Sequence, residues 1–373
     1  MRYIRFLKPP KVHGSQIKTL ITVTSDLGES FLPEAVQLSA SLRSAVQHDT
    51  LYLRKKLQWE ASMRSIPLTF DFDKSDIVWP VKIHVTTRDA ELTDHFERGQ
   101  NGLSLPPIIS AWSDILDLQI GINEAARMVE RRFQPLSDRP LCIWEETGES
   151  IARHIWDAGI ALSAYVEGMV ALQPEPLSPA DQITYSSSSN TINIIELGAG
   201  CGIVGISLAQ SIPNCNVLLT DLPEAREIAE RNVSTMTPAV GSCASFQELD
   251  WEIPLPEAVA SARFDLVLVA DCTYNPDSAP ALVQTLVKLA NTSQDCVVLL
   301  SMKVRHESEL VFFDLMEKAG FLQKMKAMVP LPEVGCDPDD ALVFVFHHHA
   351  RNVAVDNDLL SQRKKSVFHF LPV

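Results

Sequence analysis

Residues 192–210 read INIIELGAGCGIVGISLAQ, and the rest of the chain is organised around them. An apolar run, Ile192, Ile194, Ile195 and Leu197, has the length and composition of a buried strand. It breaks into a glycine turn at Gly198, Gly200 and Gly202, then resumes with helical spacing through Ile203, Ile206, Leu208 and Ala209. A strand, a glycine turn and a helix together present backbone N–H groups at a helix N-terminus to a ligand. Glycine serves the turn because a Cβ would block the ligand's approach and penalise the dihedrals.

The turn can be read in two registers. Starting at Gly200, the residues G-C-G-I-V-G match the dinucleotide fingerprint G-x-G-x-x-G, with Asp221 about 20 residues further on. Starting at Glu196, the residues E-L-G-A-G-C-G resemble the first motif of the S-adenosylmethionine methyltransferases with a Rossmann-like fold. Glu196 favours the second register. A carboxylate at the mouth would repel a pyrophosphate, whereas a cationic sulfonium ligand with a free ammonium tolerates it.

Downstream of the turn, strand and helix patterns alternate as in βαβ units. Strands are expected at 217–220, 244–249, 264–270 and 296–302, followed by two more at 321–328 and 341–347. With the first strand this makes seven, five parallel and a C-terminal hairpin-like pair. Glu196, Asp221, Asp250 and Asp271 fall at the carboxyl ends of successive strands, where an open parallel sheet binds its ligand. Asp221 is suited to a ribose diol and Asp250 to an adenine amino group, with Trp251 as an apolar wall.

Upstream, residues 148–172 carry helical spacing from Trp156-Asp157 onward, through Ile160, Leu162, Tyr165, Val166 and Met169. Residues 1–140 carry no motif tied to chemistry. Apolar spacing predicts helices over 30–59 and 112–132, alternation predicts strands over 66–72 and 77–86, and 99–107 reads as a loop, giving a small α+β extension. Residues 173–191 are rich in Pro and Ser and read as an insertion, and the stretch after 350 reads as a polar tail.

Composition narrows the function class. The net charge of −15 disfavours a nucleic-acid partner. No apolar run approaches the length of a membrane span, so no membrane partner is expected. The seven cysteines form no CxxC pair and no disulfide framework, as in a reduced compartment. A cytoplasmic or nuclear location and a monomeric state are expected. His347-His348-His349 is no metal site on a strand, because neighbouring side chains point to opposite faces, and no metal is expected elsewhere.

ELGAGCGIVGISLA, TDLPEA, ELDW and ADCTY, in this order, together with the upstream IWDAGIALSAYVE, resemble methyltransferase family 16. These are the seven-β-strand, S-adenosylmethionine-dependent protein-lysine methyltransferases. The resemblance covers roughly residues 147–347. It implies a class I Rossmann-like sheet over a methyltransferase domain at 141–350, preceded by the extension 1–140 and followed by the tail 351–373. It implies cofactor contacts from Trp156, Gly198, Ala199, Gly200, Asp221, Trp251 and Ala270, to which the residue reading adds Glu196 and Asp250. It also implies that Asp271 and Tyr274 form a D-x-x-Y element facing the methyl group and the target amine. Cys272-Thr273 stands in the middle of that element, where the family more often has aliphatic residues. The protein substrate implied is of the chaperone or translation-factor type. A non-catalytic module with the same fold, a small-molecule N-methyltransferase and a nicotinamide-dependent oxidoreductase are the alternatives.

Overall fold

The computed structural model describes residues 1–47, 50–89, 94–99, 102–136, 139–147, 150–171, 191–332, 334 and 340–348. All of the expected insertion except residue 191, and the whole expected tail, lie outside these residues.

Among the described residues, the N-terminal part contains twelve strands. They are β1 (Arg2–His13), β2 (Gln16–Thr24), β3 (Val36–Ser44), β4 (Leu51–Trp59), β5 (Ile66–Asp71), β6 (Val81–Thr87), β7 (Glu97–Gly99), β8 (Gly102–Ser104), β9 (Ile108–Ile109), β10 (Ala111–Ser113), β11 (Met128–Phe133) and β12 (Leu141–Glu146). They form a four-stranded sheet, β5-β2-β1-β9, and a six-stranded sheet, β12-β11-β10-β6-β3-β4, beside the small β7-β8 hairpin. Ile4, Ile17 and Leu68 from the first sheet and Leu42, Ile83 and Val129 from the second share one core cluster, so the unit is a sandwich.

This corrects the expected α+β extension, because among the described residues before 147 no helix forms. Residues 30–59 supply the antiparallel pair β3–β4 rather than a helix. Residues 112–132 supply the end of β10, a turn and β11 rather than a helix, and the expected loop 99–107 contains β8. The sheet also runs past residue 140, because β12 pairs with β11 from Leu141 to Glu146.

The second part follows the expected alternation. Its helices are α1 (Asp157–Ala171), α2 (Ile203–Ser211), α3 (Arg226–Thr235), α4 (Glu257–Ser261), α5 (Ala279–Thr292) and α6 (Val311–Lys318). Its strands are β13 (Ile192–Leu197), β14 (Cys215–Asp221), β15 (Cys243–Glu248), β16 (Leu266–Ala270), β17 (Val297–Met302), β18 (Phe321–Pro330) and β19 (Asp340–His348). They assemble in the order β15-β14-β13-β16-β17-β19-β18. The pairs among β13 to β17 are parallel, and β19 runs antiparallel between β17 and β18. This is the seven-stranded class I arrangement. Continuous apolar runs such as VVLLSM in β17, buried at every residue, are what a strand covered on both faces requires. The strand order reverses between β13 and β16, which places a switch-point crevice at their carboxyl ends.

The two parts are not separable bodies. One core cluster joins Tyr3, Phe133 and Ile143 of the sandwich to Ile160, Ile194 and Val204 of the α/β part. Residues 157–167 of α1 and 203–210 of α2 are correspondingly buried throughout.

Candidate active site

A cavity of about 560 Å³ opens at the switch point. All eleven residues singled out in the sequence line it: Trp156, Glu196, Gly198, Ala199, Gly200, Asp221, Asp250, Trp251, Ala270, Asp271 and Tyr274. They come from the ends of four strands and from the segment that leads into α1.

The glycine turn is shaped by close approach. Gly198 and Gly200 have φ of +66° and +54°, a region that penalises a side chain. A Cβ on Gly198 would lie 2.5 Å from the Cys272 sulfur, and one on Gly200 would lie 2.9 Å from the Ala152 carbonyl oxygen. Asp221 ties the turn to β14, its Oδ2 accepting from the Gly200 N–H (2.7 Å) and its Oδ1 from the Leu222 N–H (2.7 Å). Burial nevertheless pushes its carboxyl up from the ordinary value. Each oxygen retains a lone pair for a ligand hydroxyl. Asp250 accepts from the Glu252 N–H (2.9 Å) and stands beside Trp251 at the rim.

Glu196 does something the sequence reading did not anticipate. It is 1% exposed, and its Oε2 accepts from the Gly205 N–H (2.8 Å) in the first turn of α2. Burial pushes its carboxyl up to about 8, so at neutral pH the group is mostly uncharged. Glu196 therefore serves the turn through packing and its bond to the Gly205 N–H rather than through a charge at the mouth. A Cβ on Gly205 would meet the Leu219 side chain at 2.4 Å and Glu196 Oε2 at 2.7 Å, so this third glycine lets helix and strand close.

A raised carboxyl in the fold adds stability fully below its unfolded value and loses it as pH rises through about 8. Glu196→Gln keeps the acceptor and removes the titration. The variant's unfolding midpoint relative to wild type is expected to climb between pH 5 and pH 8, by the equivalent of roughly 3–5 kcal/mol at about 1.4 kcal/mol per unit. A pH-independent difference in thermal unfolding would show that Glu196 is charged in the fold.

Asp271 closes β16 with φ of +56°, a conformation uncommon outside glycine. Its carboxylate is held in a two-point pair by Arg305, with Nη1 to Oδ1 at 2.8 Å and Nη2 to Oδ2 at 2.7 Å. The same Nη2 donates to Asp26 Oδ2 of the sandwich at 2.8 Å. The 303–306 segment reads from sequence as a solvated loop, yet the Arg305 side chain is only 17% exposed. The signal in the sequence was an arginine just after β17, at the sheet edge where the carboxylates gather.

Tyr274 is 53% exposed and its hydroxyl has no partner among the described residues. Partial burial, then the neighbouring Cys272 and Asp221, push its phenol up, so it keeps its proton at neutral pH. Cys201 and Cys272 are buried and their thiols are pushed up by burial, which fits packing rather than nucleophilic roles.

The approach to α1 is fixed from the sandwich and from the segment after β17. The Tyr3 hydroxyl donates to Asp157 Oδ1 (2.8 Å), and Lys303 Nζ donates to Oδ2 (3.1 Å). Glu145 of β12 accepts from the Ile155 N–H (2.9 Å), one residue before Trp156. None of these three contacts is visible to a motif: the first two join residues 154 and 146 positions apart, and the third ties β12, a strand of the sandwich, to the segment before α1.

Comparison with known proteins places the site among relatives. A family model described as lysine methyltransferase matches residues 136–319. Protein N-lysine methyltransferase METTL21A of Mus musculus is 32% identical over 184 residues, covering 49% of this chain and 73% of that one. EEF1A lysine methyltransferase 3 of Xenopus tropicalis is 30% identical over 207 residues, covering 54% and 81%. A UPF0665 family protein of Schizosaccharomyces pombe is 26% identical over 318 residues, covering 83% of this chain and 91% of its own length. The last alignment is too long to be confined to the α/β part.

Proposed function

The chain belongs to the lysine methyltransferase family, and on that premise we propose that it transfers the methyl group of S-adenosylmethionine to the side-chain amine of a lysine in a protein substrate. The carrying observation is the meeting of a ligand-sized cavity at the switch point with Asp271 and Tyr274 at its edge. The cavity's residues fit the cofactor. The glycine turn leaves no room for side chains where a ligand would lie, Asp221 offers acceptors for ribose hydroxyls, and Asp250 with Trp251 offers an acceptor and a flat apolar wall for adenine. Trp156, Ala199 and Ala270 complete the enclosure.

Bound S-adenosylmethionine supplies an electrophilic sulfonium methyl. The chain's own contribution is to hold the acceptor nitrogen and direct its lone pair. The Tyr274 oxygen can accept a hydrogen bond from the amine while retaining its own proton. Asp271 contributes negative charge beside it, but its pairing with Arg305 makes it a positioning group rather than a free base. The ammonium proton therefore leaves to water through the open side of the cleft.

Asp221→Ala removes the ligand-facing acceptors and frees the N–H groups of Gly200 and Leu222. S-adenosylmethionine affinity is expected to fall by about 1–3 kcal/mol. Titration calorimetry with S-adenosylmethionine and with NAD measures this. Tight NAD binding without an S-adenosylmethionine signal would replace the reading with the oxidoreductase one. The reaction itself is tested by incubating the chain with labelled S-adenosylmethionine and lysate from cells that lack it, then identifying the modified residue by mass spectrometry. Label on lysine supports the proposal, and label on a small molecule supports the alternative N-methyltransferase.

A further inference from the structure

A second cavity, of about 590 Å³, lies between the sandwich and the α/β part. It shares Ile151, His154, Trp156, Asp271 and Tyr274 with the first cavity, so the two meet at the D-x-x-Y element. Its opposite wall is entirely from the sandwich, Arg5 to Leu7 of β1 and Asp26 to Gly28 of the turn after β2.

Two features of that wall point to a ligand. The register of β1 on β2 slips between Phe6 and Lys8, and the unpaired residue in this bulge is Leu7. A bulge re-aims a side chain, and here Leu7 stands 54% exposed on the cavity wall. Leu27, at the tip of the turn closed by the Gly28 N–H on the Ser25 carbonyl (3.0 Å), is 47% exposed. Ile151 and Tyr274 across the cleft are 55% and 53% exposed. Four large apolar side chains thus remain uncovered around one opening, two from each part. The turn that carries Leu27 is held against the site, since Asp26 binds Arg305, which binds Asp271.

We propose that this cleft is the acceptor channel, and that Leu7 and Leu27 are specificity-determining residues that grip an apolar side chain flanking the target lysine in the substrate protein. The inference rests on the lysine-transfer reading and adds the substrate's local chemistry to it. The occupant is a polypeptide segment because the channel leads to the amine-holding groups from an apolar mouth. A small polar amine would leave that mouth uncovered. The lysine extends between Trp156 and Tyr274 toward the first cavity, while its apolar neighbour covers Leu7, Leu27 and Ile151.

The test uses the full chain, labelled S-adenosylmethionine and the lysate described above. Leu7→Asp, Leu27→Asp and the double variant are compared with Leu7→Ile and Leu27→Met. Both leucines are surface residues, and unchanged S-adenosylmethionine affinity by calorimetry reports that each variant is folded. Label on the acceptor band is expected to fall at least tenfold in each Asp variant and further in the double. The Ile and Met variants are expected to retain most of it. With the acceptor purified, the loss is expected in KM rather than kcat. A double Asp variant that labels at the wild-type rate overturns the proposal, as does loss of cofactor affinity in step with labelling, which would assign the cleft to the cofactor. A wild-type chain that labels no lysine in any protein overturns the lysine-transfer reading itself, and the channel assignment falls with it.

Discussion

Tyr274→Phe is expected to lower methyl transfer by about 10²–10⁴ while leaving S-adenosylmethionine affinity unchanged, the range for a group that positions or relays a proton. The substitution keeps the ring that lines both cavities and removes only the hydroxyl, which has no partner among the described residues. No internal hydrogen bond is lost, so the unfolding midpoint is expected to stay within the small range of surface substitutions. An interaction made mainly in the transition state lowers kcat and kcat/KM together, and single-turnover measurement at saturating cofactor reads it directly. Wild-type turnover in this variant would leave Tyr274 as a wall of the cleft and return the search for an amine-holding group to Asp271. The phenol is pushed above its ordinary value, so the Tyr274 hydroxyl adds no pH dependence near neutrality, and rate is expected to rise with pH in wild type and variant alike as the acceptor amine loses its proton.

The α/β part was legible because its rules are local. β13, β14 and β16 announce themselves as apolar runs, each runs into a glycine or an acidic residue at its carboxyl end, and parallel topology then brings those ends to one crevice. The sandwich was misread for an equally physical reason. In 30–59 the apolar positions Leu38, Leu42 and Val46 lie four apart, a spacing that suits a helix but is also a multiple of the strand period. Ala40 decides between them. It is buried with Leu38 and Leu42 on one face of β3, yet as a small residue it weighs little in a hydrophobic pattern. Two further features depend on tertiary contact rather than on local pattern. The raised carboxyl of Glu196 is a result of its burial, and the Arg305 pairing joins residues 34 and 279 positions apart in sequence. The shared core of Tyr3, Ile143 and Ile160 likewise shows why a boundary at residue 140 would cut through packed structure. Removing 1–140 would strip β12 of its sheet and uncover α1 and α2.

Arg305→Ala is expected to destabilise the protein by about 3 kcal/mol, the lower end of the range for breaking a buried ion pair, since the arginine keeps some solvent access. The loss has two parts. Asp271 and Asp26 are 8% and 3% exposed, and without the guanidinium Asp271 loses its paired cation and Asp26 keeps Lys303 but loses its hydrogen-bonded one. The left-handed backbone at Asp271 also loses the side-chain anchor that helps hold it. Burial alone would raise the Asp26 carboxyl, but Lys303 and Arg305 outweigh it and hold the group below its ordinary value. A lowered carboxyl contributes stability that is present above the unfolded value, near 4, and is lost as pH falls through the folded one. The gap between wild type and Arg305→Ala in urea unfolding is therefore expected to be largest at neutral pH and to shrink below about pH 4. Arg305→Lys separates charge from geometry, because an ammonium cannot grip Asp271 at two points and reach Asp26 from the same plane. It is expected to recover part of the stability while transfer stays depressed, by as much as about 10²-fold, the cost of a small misplacement at a reacting centre. If Arg305→Lys transfers at the wild-type rate, only the charge matters, and Asp271 needs neutralising rather than orienting. If Arg305→Ala unfolds with wild type at pH 7, the pairing of sandwich and site through this arginine contributes nothing to stability, and the shared core with the Tyr3–Asp157 and Glu145–Ile155 contacts holds the two together.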